Sequence, residues 1–212
     1  MVKTKIFSID PGQINGEKNA AIARILRNDG VIAYPTDTFY GLGANCYSES
    51  AVKKVFVLKG RDPSKPLPVV ISDRKMLAGL VEEIPPLFEM LADKFWPGPL
   101  TLVLRASKSL PSVVLGGTGS IGVRYPDFPW LQALVREAKF PLTATSANLS
   151  NSNEINDPSR LVQEFAGKID LIVDGGPVPA CLPSTVLDLT SGKVSVLREG
   201  AVPASALGKF LK

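Results

Sequence analysis

The 212-residue chain contains no histidine. That absence removes Ser-His-Asp and Cys-His nucleophile pairs, histidine general bases and histidine-ligated zinc in one step. Cysteine is almost missing too: Cys46 and Cys181 stand far apart and form no CxxC. They read as two buried thiols of a reducing compartment, and nothing supports a disulfide between them. No apolar run approaches the ~20 residues of a membrane span. The opening MVKTKIFSIDPG lacks the apolar stretch of a secretory signal. A cytoplasmic location without a membrane partner is the expectation. Aromatic residues make up only 7%, and no run interleaves them with basic side chains as an RNA-recognition strand would.

What remains is an ordinary globular composition, 45% hydrophobic and 21% charged, in a chain long enough to bury a core. The net charge of +4 suggests an anionic ligand without choosing between a nucleotide, RNA and a lipid surface.

Periodicity predicts a helix over 17–28, stopped by Asp29-Gly30, and a buried strand VIAYP over 31–35. Ser48 is placed to cap a helix over 50–59. LPVVIS (67–72) reads as a strand, followed by Asp73 as the cap of a short helix. Pro85-Pro86 opens a helix that WPGP (96–99) ends. Strands follow at 100–105 and 121–126, with a Ser-, Pro- and Gly-rich loop at 107–120 between them. A helix over 129–138 precedes a strand at 141–147. After the loop SNSNEIND, Asp157-Pro158 starts a helix. LIVDGG, STVLDLT and KVSVLRE are three strands, the last two joined by a turn at Ser191-Gly192, and a short helix over 203–211 closes the chain. The expected architecture is α/β: a twisted mixed sheet with flanking helices, in one domain over 1–212.

Several strands end in polar material. VIAYP runs into Thr36-Asp37-Thr38, IGVR ends at Arg124, and LTAT runs into Ser146-Ala147-Asn148. In α/β proteins ligands gather where loops leave such strand ends. Hydroxyls and an amide do not perform acid-base work at neutral pH, but they orient a polar molecule by several hydrogen bonds. Lys59 and Arg61 flank Gly60 at a helix end. The spacing fits a solvated C-terminal cap, and it equally fits a phosphate clamp. Lys65 and Arg74 extend this basic segment. For Arg124 and Arg198 a surface salt bridge is the plain reading. GLGAN (41–45) reads as a turn. GGTGS (116–120) is either a flexible loop or a backbone nest for phosphate. Asp37, Asp62 and Asp174 are scattered with no metal-ligand spacing, so a divalent ion is expected only with a nucleotide.

The order of the pieces is more specific than any one of them. YPTDTFYGLG, KGRDPSKPL, WPGPLTLVL, SIGVRYPDFP, TSANLS, LIVDGG, PSTVLDL and VLREG follow one another across about residues 17–210. In this order they resemble the YrdC/YciO family, and within it the short, single-domain threonylcarbamoyl-AMP synthases that begin t6A modification of tRNA. The resemblance implies a YrdC-like fold, a twisted α/β sheet around a basic concave cleft. It implies a reaction of L-threonine, bicarbonate or CO2, and ATP with Mg2+, and no tightly held protein-ligated metal. A downstream tRNA threonylcarbamoyl transferase complex, and tRNA or double-stranded RNA, are the implied partners.

By the same resemblance Thr36, Arg124 and Ser184 face threonine. Ser120, Ser146, Asn148 and Arg198 lie on the ATP side. Lys59 and Arg61 meet the phosphates and the carboxylate of the intermediate, as the catalytic charges. Two departures stand out: Asn151 where the family places glycine, and Lys65 where many members carry Asn or another residue. The rival readings are a non-enzymatic RNA-binding module using the basic face, and a domain acting on another carbamoyl-type substrate, as in hydrogenase-maturation relatives with much longer chains.

Overall fold

The computed structural model describes residues 2–150, 152–179, 182–208 and 210. Asn151 and Cys181 lie outside the described residues. In chain order the elements are β1 (Lys5–Ser8), α1 (Gly16–Arg27), β2 (Ile32–Tyr34), β3 (Gly41–Gly43), α2 (Glu49–Lys59), β4 (Val69–Val70) and a 3-10 turn (Arg74–Gly79). They continue with α3 (Pro86–Phe95), β5 (Leu100–Arg105), α4 (Ser112–Leu115), β6 (Ser120–Arg124), α5 (Pro129–Ala138), β7 (Leu142–Thr143) and β8 (Thr145–Ser146). Last come α6 (Pro158–Phe165), β9 (Leu171–Asp174), β10 (Thr185–Asp188), β11 (Ser195–Arg198) and α7 (Ala204–Leu207).

The strands form two mixed sheets rather than one. The first has the order β1-β9-β2-β3-β8, and the second the order β11-β10-β5-β6-β4-β7. The expected strand over 141–147 is broken at Ala144, with β7 in the second sheet and β8 in the first. The Ala144 amide donates to the Pro68 carbonyl at 2.7 Å, continuing the β4–β7 register, and beyond it Thr145 and Ser146 pair with Leu42 and Gly41 of β3. GLGAN is not a turn: Gly41–Gly43 is a central strand. Its glycines let the backbone lie on the Tyr34 ring, where a Cβ at Gly43 would come within 2.5 Å of a ring carbon. The 107–120 segment carries the short helix α4, which the proline- and glycine-rich composition hid.

The caps explain several boundaries. The side chains of Asn15, Ser48 and Asp157 accept amide hydrogens at the starts of α1, α2 and α6. Gly60, in the left-handed region, ends α2 as the sequence indicates.

Alternation in the strands sets what each face meets. Ile32 and Tyr34 of β2, with Leu171 and Val173 of β9, pack under Trp130, Leu131 and Leu134 of α5 and Ile22 and Leu26 of α1. The intervening Ala33 and Ile172 point the other way, into the larger apolar cluster. That cluster also takes Leu100, Leu102 and Leu104 of β5, Ile121 and Val123 of β6 and Leu187 of β10. It therefore joins the two sheets. Each such side chain taken from water contributes about 1.5–3 kcal/mol before conformational entropy is charged against it. The remaining face of the second sheet is left without an apolar partner, and there the site forms.

Candidate functional site

The uncovered face carries the alternate residues: Thr101 and Val103 of β5, Ser120, Gly122 and Arg124 of β6, and Ser184, Val186 and Asp188 along β10. Register puts Arg124 beside Thr101 and Gly122 beside Val103, and Val186 beside Thr101. This floor opens into a cavity of about 490 Å³, walled by Tyr34, Thr36, Thr38 and Tyr40 on one side and by Ser146, Glu154, Arg61 and Arg198 on others. That size falls within the usual range for small-molecule sites, roughly 300–1,000 Å³.

Seven of the expected residues meet here: Thr36, Arg61, Ser120, Arg124, Ser146, Ser184 and Arg198 all line the cavity. Arg124 is only 7% exposed, so it is no surface salt bridge. It donates from Nη2 to Asp37 Oδ1 at 2.6 Å, from Nη1 to Thr38 Oγ1 at 3.0 Å and from Nε to the Gly98 carbonyl at 3.2 Å. The WPGP turn and the polar end of β2 thus aim the guanidinium together. A guanidinium has five N–H groups, so two remain for a ligand. Thr36 Oγ1 donates to the Phe39 carbonyl at 2.7 Å and accepts the Thr38 amide at 3.0 Å.

Ser184 Oγ lies 2.9 Å from Thr101 Oγ1. Arg198 Nη2 donates to Ser184 Oγ at 3.1 Å and to its carbonyl at 2.8 Å. Arg198 is thereby held on the rim by Ser184, and among the described residues it forms no salt bridge. Arg61 curls over its own loop, donating to the Lys65 and Pro66 carbonyls at 3.3 and 3.0 Å. Burial holds its guanidinium below the ordinary arginine value, against the pull of Asp62. Ser120 Oγ pairs with Thr118 Oγ1 at 2.9 Å on the GGTGS turn, and both line the cavity.

Lys59 and Asn148 are placed differently. Neither is on the cavity wall, and Lys59 is 3% exposed. It is neither a solvated cap nor a side chain reaching into the cavity. Its Nζ donates to the Ser146 carbonyl at 2.5 Å, the Asn148 carbonyl at 2.7 Å and Asn148 Oδ1 at 2.9 Å. Asn148 Oδ1 also accepts from Ser146 Oγ at 2.6 Å. Burial pushes the Lys59 ammonium down to about 8, helped by Arg61 and opposed by Glu164 and Glu154. Of the other basic residues, Lys65 is exposed, and Arg74 is paired with Glu89 and Asp93 on α3.

Sequence reasoning passed over Glu154 and Asp188, which put two carboxylates among the three arginines of the wall. The alternation Ser184, Val186, Asp188 was a usable signal for the second. Glu154 sits in the irregular segment before α6 and offered none. It also passed over Thr101, the polar residue that breaks the apolar run of β5.

Chemically the cavity offers fixed cations, many hydroxyls and two hard carboxylate donors. It suits a ligand with anionic groups at more than one point. Among the described residues no group of three or more His, Cys, Asp or Glu side chains could hold a metal ion, and no helix is long and apolar enough to cross a membrane.

Residues 24–200 match the family described as Sua5/YciO/YrdC, telomere recombination. The chain is 40% identical over 189 residues to a threonylcarbamoyl-AMP synthase of Pyrococcus abyssi, covering 89% of this chain and 56% of the relative. In structure it resembles P. abyssi Sua5 complexed with L-threonine, with a TM-score of 0.93 and 38% identity, over 98% of this chain and 61% of that one. It also resembles E. coli YciO, with a TM-score of 0.87 and 27% identity, over the full length of both. The chain thus spans about three-fifths of the P. abyssi proteins it matches.

Proposed function

Since the chain belongs to the Sua5/YciO/YrdC family, we propose that it is an enzyme joining L-threonine, bicarbonate or CO2, and ATP into threonylcarbamoyl-adenylate and pyrophosphate. The observation that carries the reading is the convergence of Arg61, Arg124 and Arg198 with Thr36, Ser146 and Ser184 on one cavity. The P. abyssi relative's name and its complex with threonine support the enzyme over an RNA-binding module.

In this reading the two spare N–H groups of Arg124 take the threonine carboxylate as a fork. The hydroxyls of Thr36 and Ser184 lie beside it for the rest of the amino acid. Arg61 and Arg198 face the polyphosphate, with Ser120 and Ser146 on the nucleotide side. The threonine amine attacks the carbon of CO2 and releases a proton, or that of bicarbonate with loss of water, to give an N-carboxylate. That carboxylate oxygen attacks the α-phosphorus, and the bond to the β-phosphate oxygen breaks as pyrophosphate leaves. No enzyme nucleophile is needed, which accords with a chain that has no histidine.

Rate acceleration then rests on holding the reactants in line, worth roughly 7–11 kcal/mol, and on fixed positive charge around the phosphates. Mg2+ would arrive on ATP and neutralise phosphate charge. The hard oxygens of Glu154 and Asp188, on the same wall, are the donors suited to it. The adenylate would pass to a tRNA-modifying transferase, and we read residues 1–212 as one domain.

The test is incubation with ATP, radiolabelled bicarbonate and each amino acid in turn, followed by product identification. Label captured in an adenylate strongly with threonine, weakly with serine and with no other amino acid is expected. Rejecting a side chain that lacks one methyl group is worth only about 1–3 kcal/mol. Absence of label with threonine would overturn the reading.

A further inference from the structure

Lys59 presents a problem that the cavity does not solve. An ammonium has three N–H donors and no acceptor. All three are engaged, and all three acceptors are oxygens of one turn: the carbonyls of Ser146 and Asn148 and the side-chain oxygen of Asn148. The backbone of the same residue grips that turn from the other side, since the Ser150 amide donates to the Lys59 carbonyl at 2.9 Å. Four hydrogen bonds therefore tie the last residue of α2 to residues 146–150. Among the described residues no carboxylate bonds directly to the amine. Glu164 and Glu154 favour its charge from a distance, and Arg61 opposes them.

The turn is also tied at its start by the pairing of Ser146 with Gly41 of β3, by burial of Ala147 in the core, and by Asn148 Nδ2 donating to the Ser152 carbonyl. Ala147 N reaches the Tyr40 carbonyl at 2.8 Å, and Leu149 N reaches Glu164 Oε1 at 2.9 Å. Ser146, its first residue, is on the cavity wall, one strand position beyond Thr145, which lines it too.

We infer that Lys59 is a positioning residue: it acts as a three-pronged strut that fixes the 146–150 turn, and with it the Ser146 side of the cavity. The cations that meet the anionic ligand directly are Arg61 and Arg198. Burying a lone cation costs stability, and a neutral side chain of similar size cannot satisfy three convergent oxygens at once. Both facts fit a residue kept for geometry. Gly60 is what makes the arrangement possible, because its left-handed conformation turns the chain out of α2 directly after Lys59. Arg61 is thereby sent to the cavity while Lys59 stays behind it.

The experiment has two arms. The first needs no catalytic activity: amide hydrogen exchange at residues 147–150 is compared in wild type, Lys59→Met and Lys59→Arg. A strut predicts at least tenfold faster exchange at these amides in Lys59→Met, with amides of β5 and β6 at wild-type values. Unchanged exchange at 147–150 would overturn it. So would an equal loss across the whole protein in both variants, which would make Lys59 a general stabiliser.

The second arm rests on the proposed ATP-dependent reaction. The KM for ATP is followed against ionic strength. Removing a direct phosphate contact flattens that dependence, because screening then acts on one fewer ion pair. The strut predicts flattening in Arg61→Ala and a wild-type slope in Lys59→Met. Equal flattening in both would return Lys59 to the phosphates. If no turnover occurs with any amino acid, the proposed reaction fails while the exchange arm still decides the strut.

Discussion

Arg124 and Lys59 are both buried cations, and they are satisfied in opposite ways. Arg124 has a carboxylate partner, Asp37, at 2.6 Å and keeps two donors toward the cavity. Lys59 has only carbonyl-type oxygens for partners and keeps no donor. The planar fork of one can be aimed by neighbours on one edge and still recognise a ligand on the other. The compact ammonium of the other is consumed by the turn it holds. Both residues are basic, and local sequence alone gives no reason to assign them different work.

The largest effect should come from blunting the fork. Arg124→Lys keeps the charge and removes the two-pronged geometry, so kcat/KM for threonine should fall about 100-fold with the KM for ATP near wild type. Pyrophosphate release at varied threonine measures it, and a change under threefold would remove Arg124 from the threonine side. Arg61→Ala should act on the other substrate. A rise of about 30-fold in the KM for ATP is expected, and an equal rise for threonine would merge the two halves of the cavity.

Burial also gives Lys59 a response to pH. Lys59 titrates at about 8 in the folded chain against an ordinary value of 10.5. Between those values the unfolded chain holds a proton that the folded chain has released, so stability rises with pH across that window. Relative to Lys59→Met, wild type should gain about 1–2 kcal/mol from about pH 7.5 to 10.5, allowing for partial solvent screening. Denaturant melts of both proteins measure the difference, and a pH-independent gap would contradict the buried charge. The neutral amine has two donors for three oxygens, so the turn should loosen over the same range.

The smallest effect belongs to a neutral group. Thr36→Val should raise the threonine requirement about fivefold and leave the ATP requirement alone. Because Thr36 Oγ1 also accepts the Thr38 amide, Thr36→Ser is expected to restore wild-type threonine dependence, and a failure to rescue would count against the hydroxyl.

How much of this was legible in the residues follows the same division. The helices were readable from their caps, because Ser48, Gly60 and Asp157 act locally. The split of the sheet was not, since PLTATSA reads as one strand and its halves part only through partners far away in sequence, Val69–Val70 for Leu142–Thr143 and Gly41–Leu42 for Thr145–Ser146. Gly41–Gly43 looked like a turn because the ring that demands its glycines, Tyr34, is on another strand. In the site, ordered motifs pointed to the residues that line the cavity, but spacing could not tell which cation faces it. Lys59 and Arg61 are two positions apart across the left-handed Gly60, and only Arg61 lines the cavity. Glu154 was out of reach for the same reason: its place depends on where an irregular loop returns.

The account stands on one cavity admitting an amino acid and a nucleoside triphosphate together, and calorimetric titration of threonine with and without a saturating non-hydrolysable ATP analogue tests that directly. Threonine affinity equal or tighter with the analogue present is the predicted result, whereas mutual exclusion of the two ligands would contradict it.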